Sequence, residues 1–365
     1  MKKVAVITNI PSPYRVDLFH YMQTHNKDYS FHVIYTSMNE DNRCWDIPEE
    51  KFINTHILKS KIIKIQNKLD SRYIHLPSAI GRSLNEIQPD AVIASEYNPA
   101  ALQALFWAKS HRKKFIHWTD GTLHSERNIG KAQKLMRKLI CGSADACIAS
   151  STKSKEKLLF WGVPEEKIFV SLLTVDITPY RNLERTPIPG QLLYVGSMIP
   201  RKGLDLLIDA LPHVQADVDF RIVGNGTEDQ IRTLKRAAME KGVADKLTFC
   251  GFKQGEELLD EYRKAQVFVL PTREDCFGLV LLEAMCAGVP IVASKYADGA
   301  YDIVEEGRNG FIVAPYSPME LAQAIDRAMN EHEKLIANRE QIERFAFENV
   351  STAYENAVDH ALQNR

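Results

Sequence analysis

The stretch VFVLPTREDCFGLVLLEAMCAGVPIVA, residues 267–293, decides the fold class. Its two ends, residues 267–270 and 291–293, are short apolar runs rich in β-branched side chains, which predict buried strands. Between them, a charged loop leads to Gly278, which opens an apolar helical segment. The order strand, loop, helix, turn, strand predicts two parallel strands joined by a helical crossover.

The same alternation continues in both directions along the chain. Further strands are predicted at residues 4–8, 31–35, 91–94, 115–118, 146–149, 192–195, 220–223, 247–250 and 311–313. Amphipathic segments such as residues 204–211 and 229–239 lie between these runs. This pattern predicts an α/β protein with two doubly wound parallel sheets, each covered by helices on both faces.

Length and composition agree with two globular domains. The chain has 365 residues, and a domain takes roughly 150. Charged residues make up 25% and hydrophobic residues 45%, which excludes a disordered or fibrous chain. A net charge of −1 gives no electrostatic indication of a nucleic-acid binder.

The two halves differ in charge and in glycine content. Residues 1–190 carry 27 Lys/Arg and 19 Asp/Glu, whereas the remainder carries 19 and 28, and 13 of the 18 glycines lie from Gly190 onward. A proline-bearing stretch coincides with this change. It predicts an N-terminal domain at residues 1–177, a linker at 178–190 and a C-terminal domain at 191–345.

Cysteine usage and the chain start predict a cytoplasmic protein. The six cysteines are Cys44, Cys141, Cys147, Cys250, Cys276 and Cys286, with no C-x-x-C pair and no histidines at zinc spacing. The opening apolar run is short and ends at Pro11, which predicts a strand rather than a signal peptide. No run approaches the roughly 20 apolar residues of a membrane span.

The loop and helix after residue 270 carry the strongest chemical signal. Backbone N–H groups of Gly278, Leu279 and Val280 at a helix start would form an anion site. At 1.5 Å per residue, Glu283 would stand about 12 Å along a helix axis from Asp275, which suits acids at both ends of a sugar–diphosphate–ribose ligand. The alternative is a helix cap at Asp275 and a solvated face at Glu283, but a carboxylate within an apolar helix needs a partner.

This segment resembles the E-x7-E signature of retaining glycosyltransferases of family four, which have the GT-B fold. Asp275 and Glu283 meet the spacing, with Asp in place of the usual first Glu. The resemblance implies that Asp275 contacts hydroxyls of the donor sugar and Glu283 the ribose. It also places Phe277 beside the donor.

A second segment, residues 192–208, has a strand, a glycine turn and a Lys-Gly helix start. It is similar to the family's G-R-L-x-x-x-K-G stretch, with Lys202 and Gly203 matching. Ser197 stands where arginine is usual, and Arg201 is the neighbouring candidate. Lys202 would neutralise charge on a leaving diphosphate; the alternative is a solvated helix end.

Two more turns of the second half are weaker candidates. The turn Gly224-Asn225-Gly226-Thr227 lacks the third glycine of a dinucleotide fingerprint, since Asp229 occupies that position. It is either a tight turn with Thr227 capping a helix or a donor contact through Gly226. The resemblance also implies a backbone contact to the nucleobase near Phe252.

The first half has no glycine in the turn after its opening strand, residues 9–15, so the backbone cannot wrap a phosphate there. The nucleotide is therefore predicted on the second domain, and Pro13, Tyr14 and Arg15 are predicted to contact the acceptor. Simple loop stiffening by the prolines is the alternative.

Residues 117–124 leave another strand of this domain. Family members often carry a histidine here that contacts the donor sugar, and the alignment places Asp120 at that position as a candidate catalytic residue of open role. His117 is predicted to be a hydrogen-bonded core histidine. Glu96, at a neighbouring strand end, is a further acceptor-side candidate.

Residues 109–138 hold nine Lys/Arg against Asp120 and Glu126, and residues 131–140 form a basic amphipathic helix. Such a helix is usually a solvated face; the alternative is docking on anionic lipid. Nucleic acid is disfavoured because no aromatic stacking platform accompanies the charge.

Together the residues and the resemblance predict a metal-independent retaining hexosyltransferase with no cofactor beyond its nucleotide-sugar substrate. A UDP-sugar is the favoured donor. The acceptor is expected to be a glycan or a lipid-linked molecule of polysaccharide or glycoconjugate biosynthesis, reached from the cytoplasm or the inner membrane face. The resemblance implies that a last helix, within residues 346–365, packs back on the first domain. A GT-B phosphorylase or epimerase and a non-catalytic binding protein remain alternatives.

Overall fold

The computed structural model describes residues 1–40, 45, 47–66 and 71–363. It divides the chain into two compact units. Of the described residues, the first unit takes those up to Asp176 and those from Phe345 onward, and the second takes Ile177–Arg344.

The first unit is built on a sheet of seven parallel strands in the order β3-β2-β1-β6-β7-β8-β9. The strands of this unit are β1 (Lys2–Thr8), β2 (Tyr29–Tyr35), β3 (Thr55–Ile57), β4 (Ser60–Gln66), β5 (Ser71–Pro77), β6 (Ala91–Ser95), β7 (Lys114–Thr119), β8 (Ala146–Ala149) and β9 (Ile168–Val170). Its first helices are α1 (Pro13–His25), α2 (Ile80–Ile87), α3 (Pro99–Ser110), α4 (Lys131–Ser143) and α5 (Thr152–Phe160). The strand order reverses between β1 and β6, the place where ligands bind in doubly wound sheets.

Both faces of this sheet are buried because successive side chains of a strand point to opposite sides. Val4 and Val6 of β1 pack with α1, whereas Ala5 and Ile7 pack with α2 and α3. The continuous apolar runs that predicted the strands are the consequence of this two-sided burial.

The second unit has a parallel sheet of six strands in the order β12-β11-β10-β13-β14-β15. Its strands are β10 (Gln191–Val195), β11 (Asp219–Val223), β12 (Leu247–Gly251), β13 (Val267–Leu270), β14 (Ile291–Ser294) and β15 (Gly310–Val313). Its helices are α6 (Thr178–Arg181), α7 (Leu204–Ala210), α8 (Glu228–Glu240), α9 (Glu256–Lys264), α10 (Leu279–Cys286), α11 (Ala300–Ile303), α12 (Pro318–Glu331) and α13 (Arg339–Glu343). The order reverses between β10 and β13, so the loops that carry the two strongest motifs leave adjacent strands.

All eleven predicted strands coincide with observed ones, but four strands of the first unit were not predicted. These are β3, β9 and the antiparallel hairpin of β4 and β5. In β4 two lysines interrupt the isoleucines and most side chains are exposed, so the hairpin lacks the buried apolar run that identified most of the other strands. The short β3 and β9 lie at the two sheet edges.

The stretch at residues 178–190 starts with the helical turn α6 and then runs against the second unit. The backbone amides of Thr186 and Ile188 donate to the carbonyls of Arg263 and Lys264, at 3.0 and 2.9 Å. The Arg185 guanidinium donates to the carbonyls of Gly288 and Ala265.

The last helix, α14 (Phe347–Gln363), packs on β7, β8 and β9 of the first unit. Its apolar side chains Tyr354 and Val358 belong to the same core cluster as α1. The Ser171 hydroxyl donates to the Val350 carbonyl at 3.0 Å, which ties the end of β9 to this helix.

Of the described cysteines, Cys141, Cys147 and Cys286 are buried, Cys250 and Cys276 are half-buried, and all five are free thiols. Cys44 lies outside the described residues. Across the described ranges, none of the helices has the length and apolar character needed to cross a bilayer.

Candidate functional site

In the second unit, the turn after β10 and the loop after β13 are bonded to each other. The carbonyl of Arg201 accepts from the backbone amide of Arg273 at 2.8 Å and from the Thr272 hydroxyl at 3.0 Å. The Arg201 guanidinium donates in return to the Glu274 carbonyl at 2.8 Å. These bonds place Lys202, which ends a 3-10 turn at Pro200–Lys202, next to Asp275.

Lys202 and Asp275 form an ion pair whose side chains are only 15% and 14% exposed. Burial by itself would raise the pKa of Asp275, but the charges of Lys202 and Arg201 and the hydrogen bonds from Lys202 and the Phe277 amide outweigh it and hold that pKa below its ordinary value. Asp275 is therefore an ionised carboxylate at neutral pH, and its pair leaves part of the Lys202 ammonium for another partner, since an ammonium has three N–H donors.

Backbone donors lie directly beside this pair. Gly278 has φ +81°, a left-handed conformation that glycine adopts without strain, and α10 begins at the next residue. Within the described parts of the chain, the amides of Gly278, Leu279 and Val280 have no hydrogen-bond acceptor. The start of α10 thus has the open amides that an anion site requires.

The helical separation predicted for Asp275 and Glu283 is wrong. The helix starts at Leu279, so Asp275 lies in the loop before it and the rise of 1.5 Å per residue does not apply between the two carboxylates. Asp275 is not the helix cap either, because that position belongs to Gly278.

A third segment, missed in the sequence, completes this loop. The Asp275 amide donates to the Tyr296 carbonyl at 2.9 Å, and the Asp298 amide donates to the Asp275 carbonyl at 2.8 Å. A Cβ on Gly299 would lie 2.4 Å from the Phe277 carbonyl oxygen, so only glycine fits there. The Asp298-Gly299 pair after a strand was the available signal, and it resembled an ordinary turn.

Glu283 is half-buried on α10, and its carboxylate accepts a hydrogen bond from the Tyr262 hydroxyl at 2.7 Å and another from Tyr180. Burial raises the pKa of Glu283 to about 7, against the two phenol hydrogen bonds, which lower it. Glu283 is therefore not the solvated residue of the alternative interpretation.

The remaining predicted donor residues lie in the turns after β10, β11 and β12. Met198 and Asn225 join the first two turns through an amide-to-carbonyl bond of 2.8 Å, and a Cβ on Gly226 would lie 2.9 Å from Met198 Cβ. The Ser197 carbonyl accepts from the Tyr194 hydroxyl at 2.8 Å. Phe252 follows β12 with an exposed ring, and Thr227 caps α8 through Gln230.

In the first unit, the structure brings four predicted residues together. Arg15 in the first turn of α1 forms an ion pair with Asp120 at the end of β7. The other Asp120 oxygen accepts from the Ser150 hydroxyl at 2.6 Å, and Arg15 also donates to the Thr8 hydroxyl at 2.7 Å. Pro13 and Tyr14 lie in the same turn and are half-buried, with the Arg15 guanidinium 5.6 Å from the Tyr14 ring centre.

The carboxylate of Glu96 is hydrogen-bonded to the turn that carries Asp120. It accepts from the amides of Asp120 and Gly121, at 2.6 and 3.4 Å, and from the Thr119 hydroxyl at 3.1 Å. Glu96 has φ +61°, a conformation that a residue with a side chain rarely adopts. Glu96 therefore holds the turn at the end of β7 in place.

Beneath this turn lies a group of buried charges that the sequence did not reveal. Lys157, whose side chain is fully buried, donates to the Thr119 hydroxyl at 2.7 Å and pairs with Glu126 at 3.2 Å. Arg137 of α4 pairs with the same carboxylate at 2.7 Å. In the sequence these residues resemble ordinary surface charges, because helical amphipathicity does not show which polar residue points inward.

His117 is fully buried, but among the described residues neither ring nitrogen makes a hydrogen bond of normal geometry. The prediction that this histidine is hydrogen-bonded is therefore wrong. Burial and the nearby charges of Lys157 and Arg137 hold its pKa well below the ordinary value, while a weak interaction with the Ala94 backbone acts the other way. The ring packs 4.4 Å from the Tyr97 ring.

No group of three or more His, Cys, Asp and Glu side chains within the described residues is arranged to hold a metal ion.

Two family models match the chain. The model described as Glycosyltransferase Family 4 matches residues 25–178, and the one described as Glycosyl transferases group 1 matches residues 189–331. Together they account for more than three quarters of the chain and fall on the two units in turn.

Two of the curated relatives that align with the chain illustrate the similarity. An uncharacterized glycosyltransferase of Methanocaldococcus jannaschii is 28% identical over 222 residues, 59% of this chain and 57% of that protein. A GDP-mannose-dependent alpha-(1-6)-phosphatidylinositol monomannoside mannosyltransferase of Mycobacterium tuberculosis is 34% identical over 150 residues, 38% of each chain. The chain thus spans about half or less of the curated relatives it matches.

Among solved structures, Anabaena HepE in complex with UDP superposes with a TM-score of 0.78 at 18% identity, over 98% of this chain and 100% of that one. This similarity shows the fold alone, the pair of parallel α/β units known as GT-B. Given the two family models, one on each unit, the chain belongs to the group 1 glycosyltransferases of family 4.

Proposed function

We propose that the protein transfers a sugar, with retention of configuration, from a nucleotide-diphosphate sugar held by the second unit. The observation that carries this proposal is the Lys202–Asp275 pair beside the open amides of Gly278, Leu279 and Val280. This arrangement offers an ammonium and amide donors for a diphosphate. The neighbouring carboxylate can accept hydrogen bonds from the hydroxyls of a sugar.

The proposed chemistry follows the charge that develops during transfer. The bond from the anomeric carbon to the diphosphate oxygen breaks while the acceptor hydroxyl oxygen bonds to the same face of that carbon, and the acceptor proton leaves with the diphosphate. Negative charge grows on the leaving diphosphate oxygen, and Lys202 and the amides at the start of α10 stabilise it. Asp275 accepts hydrogen bonds from hydroxyls of the sugar and so orients it, and Glu283 accepts hydrogen bonds from the ribose hydroxyls. Since Lys202 and the amides supply the positive charge, we propose that no metal ion is needed.

The first unit is proposed to take the acceptor. Its turn after β1 contains Pro11 and Pro13, which lack an N–H, and no glycine, so we propose that this turn does not wrap a phosphate. Arg15 and Asp120 instead present a charged pair with hydroxyl neighbours, a suitable setting for acceptor hydroxyls. We propose that Asp120 stands on the acceptor side of the reacting carbon.

The donor is proposed to be a UDP-sugar, in line with the UDP complex of HepE, and the GDP-mannose dependence of the mycobacterial relative supplies the competing candidate. Thermal unfolding with UDP-glucose, GDP-mannose and ADP-glucose, with and without EDTA, tests both the class and the metal independence. One class is expected to raise the melting temperature by a few degrees at 100-fold excess over its Kd, in either condition.

The matched variants for this experiment are Lys202→Ala and Glu283→Ala, with Lys241→Ala as control. Lys241 forms an exposed pair with Asp209 in the same unit. Stabilisation is expected to disappear in the first two variants and to persist in the control. Stabilisation that requires magnesium, or that survives Lys202→Ala, contradicts the proposed site. Turnover of the sugar nucleotide without any acceptor would instead favour a phosphorylase or an epimerase.

We also propose that α4 docks the first unit on an anionic membrane, where a lipid-linked acceptor would be reached. The outer face of α4 presents Lys131, Lys134 and Lys138 around Leu135, which is 69% exposed, and around Leu139. Beside it lies a cavity of about 410 Å³ with an apolar and cationic lining: Leu123, Glu126, Arg127, Ile129, Lys134, Phe160 and Trp161.

The charges of this surface favour lipid over a protein partner. Glu126 is neutralised by Arg137 and Lys157, so the outward charge is cationic, and exposed leucines between lysines are typical of helices that lie in a bilayer interface. The phosphatidylinositol monomannoside in the name of the mycobacterial relative is such a lipid acceptor.

Sedimentation with vesicles tests the docking surface. Vesicles of phosphatidylcholine with phosphatidylglycerol are expected to bind the protein at low salt, whereas phosphatidylcholine alone is not. Leu135→Ser with Phe160→Ser should abolish binding, and the control Phe106→Ser, on exposed Phe106 of α3, should not. Equal binding to both vesicles, binding to neither, or a dimer that the double variant dissociates contradicts docking on an anionic membrane.

A further inference from the structure

The second unit contains two neighbouring carboxylates with opposite kinds of partner. Glu261 is buried and pairs with two cations, Arg221 at 2.6 Å and Lys253 at 2.5 Å. Glu283 on α10 is bound by two phenols, Tyr262 at 2.7 Å and Tyr180. The first carboxylate is neutralised by its partners, whereas the second is hydrogen-bonded without being neutralised.

This difference matters for what each carboxylate can still bind. A cation would cancel the charge of Glu283 and occupy its lone pairs. A phenol donates one hydrogen bond and stays neutral at physiological pH, so it favours the ionised form of the carboxylate without cancelling its charge and leaves acceptor sites free. An oriented anion with spare acceptor sites suits a pair of neighbouring hydroxyls.

The two phenols are themselves rigidly held. Tyr262 is fully buried on α9, and its ring packs 6.0 Å from Phe268 and 5.7 Å, nearly perpendicular, from Tyr180. Tyr180 comes from α6, the helical turn inside the stretch predicted to be a linker, and its neighbour Arg181 pairs with Glu343 at 2.7 Å.

We propose that Tyr180 and Tyr262 are positioning residues for donor binding, which hold the Glu283 carboxylate as an oriented anion for the ribose hydroxyls. This inference rests on the donor role proposed for Glu283. The neutral phenols favour the ionised carboxylate and fix its rotamer, so the donor meets an acceptor that is already in place.

The ionisation of Glu283 supports the geometry and supplies the readout. The groups that face this carboxylate are Tyr180, Tyr262 and Cys286, and the Cys286 thiol in turn senses Arg181 and Glu343. Burial raises the pKa of Glu283 to about 7 although the phenols lower it. Donor affinity should therefore weaken as the pH falls through about 7. Removal of one phenol hydroxyl should raise the pKa of Glu283 and so move this limb of the pH–affinity curve to higher pH.

The test is the pH dependence of donor Kd between pH 6 and 9 in Tyr180→Phe, and in Tyr262→Phe as a second variant. The probe is whichever of UDP-glucose, GDP-mannose and ADP-glucose stabilises the protein. At pH 7 the Kd of Tyr180→Phe is expected to rise about five- to tenfold, with the midpoint of the limb about one pH unit higher. Near pH 9 the Kd should return towards that of the unmodified protein, and kcat at saturating donor should be unchanged.

Tyr29→Phe is the matched control, because the Tyr29 hydroxyl donates to the Asp359 carboxylate in the first unit. An unmoved midpoint in Tyr180→Phe, a deficit that persists at pH 9, or an equal effect of Tyr29→Phe overturns the inference. Glu283→Gln separates the two proposals. If it leaves donor affinity intact, or if no donor binds at all, the proposed role of Glu283 fails and the inference with it. If it weakens the donor while the tyrosine variants do not, only the inference fails.

Discussion

The two units treat their carboxylates in opposite ways at equivalent places, the carboxyl ends of parallel strands. In the first unit, Asp120 pairs with Arg15 and accepts a hydrogen bond from Ser150. The Glu96 carboxylate accepts hydrogen bonds from the turn that carries Asp120. In the second unit, Asp275 has one cation beside backbone amides without acceptors in the described chain. The first arrangement satisfies its own charges, whereas the second leaves donors open for an anion.

The backbone reflects the same difference. In the second unit, the turns of the candidate site contain glycines with positive φ or with neighbouring atoms too close for a side chain, such as Gly224 and Gly278. In the first unit, the turn at the end of β7 is held by charged side chains, including the buried Lys157. We therefore expect charge removal in the buried cluster of Lys157, Glu126 and Arg137 to act mainly on stability, and charge removal at Lys202 of the second unit to act mainly on binding and turnover.

Glu126→Gln should have the largest effect and should appear as lost stability. It leaves the fully buried Lys157 and the buried Arg137 without their carboxylate, which should lower the free energy of unfolding by about 3–5 kcal/mol. Chemical denaturation measures it. Glu156→Gln, which breaks an exposed pair with Lys153, should change stability by less than about 0.5 kcal/mol. Equal effects of the two variants would mean that the buried cluster is not a stabilising unit.

Lys202→Ala should reverse this pattern. Its removal takes away the cation proposed at the leaving diphosphate, so turnover of the donor should fall about 10²–10³-fold while the melting temperature changes by only a few degrees. Steady-state kinetics with the stabilising sugar nucleotide measure it. A variant that turns over normally would remove Lys202 from the proposed chemistry.

Gly224→Ala tests the backbone side of the comparison. Gly224 has φ +139°, and a Cβ there would lie 1.9 Å from the Gly196 carbonyl oxygen, so stability should fall by about 2–4 kcal/mol. In contrast, Gly81→Ala in α2 meets nothing closer than 3.9 Å and should stabilise the helix by up to about 1 kcal/mol. Thermal unfolding of both variants decides whether this turn needs glycine.

Glu283→Gln should produce the smallest effect, and its sign depends on pH. Because burial raises the pKa of Glu283 to about 7 in the folded protein, its contribution to stability is present below the unfolded pKa near 4.3 and is lost as the pH rises through about 7. The uncharged variant avoids that loss, so it should be more stable than the unmodified protein by about 1–2 kcal/mol at pH 8 and similar at pH 4. Denaturation at the two pH values measures the difference, and a variant that is less stable at pH 8 would contradict it.

Much of the fold was predictable because it depends on local patterns. Most of the runs that form the interior of the two parallel sheets are largely apolar, such as residues 267–270, and each predicted run is a strand in the structure. The hairpin of β4 and β5 was not predicted because β4 is largely exposed and its isoleucines are interrupted by lysines. The contribution of the segment after β14 to the site was not predicted, because the Asp298-Gly299 pair is equally common in ordinary turns.

The candidate site divides in the same way. Lys202, Asp275 and Glu283 stood out because their motifs surround them with glycines and apolar residues. Tyr180, Tyr262, Lys157 and Glu126 did not, because nothing local distinguishes a tyrosine or lysine that faces a carboxylate from one that faces solvent. His117 was placed correctly in the core, but whether a ring nitrogen finds a partner depends on atoms from other strands and helices.

By itself, the amino-acid sequence determined the class of fold, the strands of both sheets that are buried on two sides, and the half of the chain that carries most of the glycine-bearing turns, because periodicity and glycine act over a few residues. The tertiary structure alone decided which charges neutralise one another and which carboxylate is left with neutral partners. Those outcomes depend on distances between side chains that lie tens or hundreds of residues apart along the chain, and burial sets their electrostatic strength.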